Sequence, residues 1–144
     1  MGIGQATLFA GAIPFDDVPN YLAAADAFVT ASVSEVHPLT VIEAMAAGLP
    51  IVATTSPGIG ECVPPEAGYL VAHPTQLATA IGQIGQSAAL RHTLGHAAHA
   101  ASHRYAIGRT VALTVELYEE LLATRDMGRG TRDFSLSTQH SALL

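Results

Sequence analysis

Residues 39–54 read in one pass as a helix, a stop and a strand, and that run limits the possible folds more than any other part of the chain. The stretch LTVIEAMAA (39–47) is rich in helix formers, with apolar residues at helical spacing. Gly48 follows where a helix ends in a left-handed residue, a conformation that a Cβ opposes. IVAT (51–54) then reads as a strand whose apolar run shows no alternation with polar residues. Such a strand needs cover on both faces, the condition of a parallel sheet flanked by helices.

The same alternation extends along the chain. Residues 7–11 (TLFAG) read as a short buried strand. Residues 16–25 read as a helix, with Val18, Tyr21, Leu22 and Ala25 at helical spacing and Pro19 in its first turn. Residues 27–31 form the next expected strand, 55–60 a Pro/Gly loop, and 69–72 a short last strand. Helices are expected at 75–86, 88–105 and 108–123. This order predicts an α/β fold, a partial Rossmann-like parallel sheet of about four strands with flanking helices. One domain is expected over 1–124, and 125–144, polar and rich in Gly, Ser and Thr, as a disordered tail. Gly58, Gly60 and Gly68 read as turn glycines needing positive φ, with 58–61 also placed to line a pocket. Glu61 reads as the cap of a short helix after Gly60.

Composition removes several function classes. The net charge is −6 and the chain has no Lys, a poor match for nucleic acid. Trp is absent and aromatics are 6%, so the core rests on Ala, Val, Ile and Leu. Cys62 is the single cysteine and excludes an internal disulfide. That fits a reducing compartment, and a cytoplasmic location is expected, with a peripheral place at the inner membrane face as its variant. Residues 1–14 lack the basic start of a signal peptide, and Ala6 stands where myristoylation wants Ser or Thr. No apolar run is long enough to span a bilayer. His92, His96, His99 and His103 repeat at helical spacing but lie about 200° from the apolar stripe of their helix, so a solvated face is expected rather than a metal site.

The chemistry gathers in SVSEVHPLTVIEAMAAGLPIVA (32–53). Pro38 suits the first helical position, which makes His37 the expected N-cap and leaves the N–H groups of Leu39, Thr40 and Val41 pointing outward. Free amides at a helix start attract anions, and the Thr40 hydroxyl adds a donor. The helix follows a strand, so it lies at the carboxyl edge of the sheet, where open α/β folds bind ligands. Glu35 precedes the helix and Glu43 lies in its second turn, roughly 12 Å apart if both were helical. That exceeds the ~5–9.5 Å of paired glycosidase carboxylates. Two carboxylates flanking an anion site suit another task, accepting hydrogen bonds from sugar hydroxyls on either side of a phosphate. A nucleotide-sugar has that layout.

Glu35-x7-Glu43 followed by AMAAGLPIVA (44–53), with YLAAADAFV (21–29) before it and PGIGECV (57–63) and GYLV (68–71) after it, resembles the signature of GT-B retaining glycosyltransferases of the family 4, "glycosyl transferases group 1", type. The resemblance covers residues 7–118. It implies the donor-binding C-terminal domain, with a UDP-, GDP- or other NDP-sugar as donor, no metal, and an unknown acceptor (sugar, lipid or small molecule). Glu35 would contact the transferred sugar and act as the catalytic residue, Glu43 would contact the donor ribose, and the segment from His37 through Pro38 and Leu39 to Thr40 would hold sugar and diphosphate. Many members carry Phe-Gly where this chain has His37-Pro38, and Pro38 has no N–H to donate.

The family's N-terminal acceptor domain has no counterpart in the chain, and neither do two strands carrying an Arg and a Lys against the diphosphate. The first Arg here is Arg91. In strand order 3-2-1-4-5-6, residues 7–11 would be strand 3, with strands 2 and 1 absent. The expectation is a C-terminal fragment with little turnover of its own, its first strand orphaned, and open sheet edges prone to self-association or awaiting a missing N-terminal half. The alternative is a non-catalytic binding or interaction module, or a split subunit whose partner completes the sheet. A GT-B-like epimerase or phosphorylase is a remoter option.

Overall fold

The computed structural model describes residues 3–126. Its sheet has three parallel strands in the order β1 (Phe28–Thr30), β2 (Ile51–Thr54), β3 (Gly68–Val71). The helices are α1 (Val18–Ala24), α2 (Leu39–Ala46), α3 (Pro57–Cys62), α4 (Leu77–Gln86), α5 (Ala88–Ser102) and α6 (Ile107–Asp126).

β2 is the middle of the molecule, and all four of its residues are buried. Its side chains alternate between two cores. Ile51 and Ala53 join Val41 and Met45 of α2, Ile59 of α3 and Ala98 of α5. Val52 joins Leu77, Ala80 and Ile84 of α4 and Leu94 of α5. Helices therefore cover both faces, as the unbroken apolar run requires. α5 contributes to both cores and approaches the turn between α2 and β2 closely. A Cβ on Gly95 would lie 2.2 Å from the Gly48 carbonyl oxygen. Gly68 sits opposite Ile51, and a Cβ there would meet the Ile51 carbonyl oxygen at 1.9 Å.

The stop after α2 forms as its sequence predicts. Gly48 has φ 77°, its N–H donates to the Met45 carbonyl at 2.9 Å, and the Leu49 N–H donates to the Ala44 carbonyl at 3.0 Å. These two bonds make a Schellman cap, and buried Leu49 seals it.

Three expectations need correction. Residues 7–11 do not join the sheet, which has three strands rather than four among the described residues. They follow a 3₁₀ turn at Gly4–Ala6 and stay exposed, with Leu8 at 89% and Phe9 at 91% of full accessibility. A segment becomes a strand only beside a neighbour that takes its hydrogen bonds, and among the described residues none lies there. Residues 57–62, expected within and just after a loop, form α3. Pro57 occupies its first turn, where a missing N–H costs nothing, and Gly60 N–H donates to the Ser56 carbonyl at 2.8 Å. Glu61 is inside this helix rather than capping a later one. Finally, Gly58, Gly60 and Gly68 are not left-handed; among the described residues only Gly11 and Gly48 are, and Gly68 is extended, with φ 166°. Gly58 and Gly68 are required because backbone passes too close for a Cβ.

α6 continues to Asp126, two residues into the stretch expected as a tail; 127–144, like Met1 and Gly2, lie outside the described residues. Among the described residues no helix is long and apolar enough to cross a membrane. The four histidines of the α5 region are all exposed, and no group of three or more His, Cys, Asp or Glu side chains is placed to hold a metal among the described residues.

Candidate functional site

The loop from 31 to 38 leaves the carboxyl end of β1, and the sheet holds it by its backbone. Buried Thr54, last residue of β2, donates its hydroxyl to the Ser32 carbonyl at 2.6 Å. The Ser32 N–H donates to Thr30 Oγ1 at 3.3 Å. From the other side the start of α3 grips Glu35: its carbonyl accepts from the Gly58 N–H at 3.0 Å and from the Ser56 hydroxyl at 3.4 Å. The approach excludes any side chain at position 58, since a Cβ would lie 2.2 Å from the Val36 carbonyl oxygen and 2.9 Å from that of Glu35.

With its backbone clamped, Glu35 presents a half-buried carboxylate. Oε1 accepts the Ser32 hydroxyl at 2.8 Å. Oε2 has no hydrogen-bond partner among the described residues and keeps its acceptor capacity. Ser32, Thr54 and Ser56 hold this loop and were missed by sequence reasoning, which read Gly58 as a turn glycine rather than as part of the clamp. Pro57-Gly58, two residues beyond a buried strand, was the one visible signal, and it reads equally well as an ordinary turn.

The helix start differs from its expected form. Pro38, not His37, is the N-cap, with φ −80° and ψ 81°. This is an inverse γ-turn, and the Leu39 N–H closes it on the His37 carbonyl at 3.0 Å. The N–H groups of Val41 and Ile42 both donate to the Pro38 carbonyl. Of the three amides expected to point outward, those of Leu39 and Val41 are engaged by the protein, and the Thr40 N–H alone has no partner among the described residues. Thr40 itself is exposed, as are Leu39 and His37. The His37 ring stands edge-on to Tyr105, centroids 6.3 Å apart. The Arg104 guanidinium lies over that same ring, 4.8 Å from its centre, and donates to the carbonyls of Glu61 and Cys62, both at 2.6 Å. An Arg there satisfies the open end of α3. Burial pushes the Tyr105 phenol up, and pushes the Cys62 thiol up to about 11, so that thiol is a packed core group and no nucleophile.

Glu43 lies elsewhere on α2. It lines an open cleft of about 570 Å³ between α1 and α2, with Phe15, Val18, Leu22 and Ala47. Glu35 is not part of that lining. The cleft is of ligand size.

An open parallel sheet, helices on both faces and a rigidly held acidic loop at its carboxyl edge define a Rossmann-like ligand-binding layer. The family model described as "Glycosyl transferases group 1" matches residues 2–87. The chain belongs to that family, and its sheet is part of a GT-B fold, in the region of the donor-binding domain. It is 39% identical over 61 residues to the sulfoquinovosyl transferase SQD2 of Arabidopsis thaliana, covering 42% of this chain and 12% of that protein. It is 30% identical over 110 residues to a D-inositol 3-phosphate glycosyltransferase of Paenarthrobacter aurescens strain TC1, covering 74% and 27%. Among solved structures, a sucrose-phosphate synthase from Thermosynechococcus elongatus matches with TM-score 0.72 and 32% identity, over 85% of this chain and 32% of that one. The chain thus spans about a third or less of the length of each of these proteins.

Proposed function

We propose that this chain is the donor-binding part of a glycosyltransferase that uses a nucleoside-diphosphate sugar and retains the anomeric configuration. The observation that carries the reading is the fixed Glu35. Its carbonyl is pinned by Gly58 and Ser56 and one carboxylate oxygen by Ser32, which leaves one oriented acceptor at the carboxyl edge of a parallel sheet. In this role Glu35 orients the donor sugar and stabilises positive charge developing near the anomeric carbon, a task that rewards a group already aimed before reaction. The Thr40 N–H and hydroxyl face the diphosphate, and the Leu39 N–H joins them when the γ-turn opens. Glu43 accepts from the ribose hydroxyls at the wall of the α1–α2 cleft. No metal is required. The chain has no Lys to help neutralise a leaving diphosphate, so the isolated 144-residue chain turns over little.

A second reading, a non-catalytic module or split subunit completed by a partner, is favoured by one observation: Leu39 and Val41 already spend their amides internally. The test is an NMR titration of the 144-residue chain with UDP- and GDP-sugars at millimolar concentration. The donor reading expects shifts centred on 35–43, with Thr40 prominent. Glu35→Gln should abolish the difference between an NDP-sugar and its bare NDP, and Glu43→Gln the difference between ribo- and deoxyribonucleotides. Shifts scattered away from this loop, or none at all, favour the second reading.

A further inference from the structure

The groups that hold Glu35 are themselves held by two adjacent side chains outside the candidate site. After α5 the chain makes a 3₁₀ turn over His103–Tyr105, entered through a bond from the Ser102 hydroxyl to the His99 carbonyl at 2.7 Å. From this turn Arg104 reaches α3, and Tyr105 reaches the 31–38 loop. α3 has six residues, too few to be a stable helix by its own hydrogen bonds. Its start pins the Glu35 carbonyl through Gly58 and Ser56. At its other end the carbonyls of Glu61 and Cys62 accept one guanidinium nitrogen of Arg104, both at 2.6 Å. A cation shared by the last two carbonyls keeps so short a helix from fraying, and fraying would carry the Gly58 and Ser56 bonds away with it.

Tyr105 acts on the other flank. Its ring packs on the core that holds Val41 and Met45 of α2 and lies 4.8 Å from the Arg104 guanidinium, so it is a fixed surface. His37 is exposed, and its ring rests edge-on against Tyr105, with 6.3 Å between centroids. His37 stands two residues beyond Glu35, and its carbonyl accepts the Leu39 N–H that closes the γ-turn. The contact therefore sets the course of the chain between Glu35 and α2.

We propose that Arg104 and Tyr105 are positioning residues for Glu35. Arg104 acts through α3 and Tyr105 through His37, and neither needs to touch the donor. The inference rests on the reading of Glu35 as the group that faces the transferred sugar. Because the two residues are neighbours in one 3₁₀ turn, a shift of the junction between α5 and α6 would release both flanks of Glu35 at once. Their loss should weaken recognition of the sugar and spare that of the nucleotide, whose ribose is assigned to Glu43 on the α1–α2 cleft.

The test is NMR on the 144-residue chain, in two arms. In the first, UDP-glucose is compared with UDP, and GDP-mannose with GDP. Preference for the sugar-bearing ligand should fall roughly threefold or more in Arg104→Met and in Tyr105→Leu, with bare-nucleotide affinity unchanged. Tyr105→Phe should keep the parent preference, since the ring carries the contact. Plain destabilisation would weaken both ligands of a pair alike. The second arm needs no ligand. Arg104→Met should speed exchange of the Gly58 amide about tenfold and leave that of the Gly48 amide, at the cap of α2, near the parent rate. Tyr105→Leu should move the His37 ring protons, and Tyr105→Phe should leave them in place. Equal losses for sugar and bare nucleotide, or a Tyr105→Phe chain no better than Tyr105→Leu, overturn the positioning role. So does an unchanged Gly58 exchange rate in Arg104→Met or an unmoved His37 resonance in Tyr105→Leu. A parent chain that does not distinguish the paired ligands refutes the donor reading instead, and the second arm then still decides whether Arg104 and Tyr105 fix the loop.

Discussion

Replacing Gly58 by Ala tests the link between the start of α3 and the acidic loop. The added Cβ would lie 2.2 Å from the Val36 carbonyl oxygen, 2.5 Å from its carbon and 2.9 Å from the Glu35 carbonyl oxygen. All three are backbone atoms, so no side chain can swing aside. Restoring even a tight contact needs roughly 1 Å of retreat between helix and loop. That breaks the Gly58 and Ser56 bonds to Glu35, each worth ~0.5–1.5 kcal/mol net, and adds ~1–3 kcal/mol of packing strain. Against this stands ~1 kcal/mol of helix propensity gained. The balance is a loss of roughly 1–5 kcal/mol, centred near 3, read as a fall of ~1–2 M in the urea midpoint at unchanged slope. Gly60→Ala is the internal control, two residues along the same helix. Its Cβ meets only the Thr55 methyl at 3.9 Å, so it should stabilise by up to ~1 kcal/mol. In the donor titration, Gly58→Ala should blunt the Glu35-dependent response and Gly60→Ala should leave it intact. Equal midpoints for the two variants, or a Gly58→Ala chain as stable as the parent, would refute the clamp.

Ser32→Ala removes the donor to Glu35 Oε1 and should cost about 1 kcal/mol in urea unfolding while weakening the response to the sugar of an NDP-sugar more than to the NDP alone. Gly95→Ala drives a Cβ to 2.2 Å from the Gly48 carbonyl and should lower the urea midpoint by about as much as Gly58→Ala, whereas Gly82→Ala, with open space around it, should not lower it. Burial favours the neutral Cys62 thiol in the folded chain, up to about 11. The stability this contributes is complete below the ordinary thiol range and is lost as pH rises through about 11, so the pH dependence of the urea midpoint above 9 should flatten in Cys62→Ala. Arg104→Met removes both bonds to the Glu61 and Cys62 carbonyls and should cost ~1–2 kcal/mol in the same assay.

What could be read from the sequence follows from where each piece of information resides. The run at 51–54 declared its own double burial, and Gly48 declared its left-handed cap, because both depend on neighbours along the chain. Gly58, Gly68 and Gly95 carry tertiary information: each is glycine because another backbone passes within contact, and no local pattern distinguishes that from a turn. Residues 7–11 have the composition of a strand, but pairing is decided by what lies alongside. At the candidate site the spacing of Glu35 and Glu43 was legible, and so was the helix between strands. The γ-turn at Pro38 was not. It arises because a proline before the helix lets the next amide fold back on His37, which spends a donor that the periodic pattern counts as free.

The contact between Gly68 and Ile51 has one more consequence. A middle strand that is oily on both sides could slide along its neighbour by a single residue and still hide every side chain, so burial alone does not choose the alignment. The choice is made by one absent methyl group. Only a residue without Cβ fits opposite the Ile51 carbonyl, and a slip by one position would bring Ala67 or Tyr69 there instead. The alignment of β3, and with it the place where α4 leaves the sheet, is set by steric exclusion rather than by attraction.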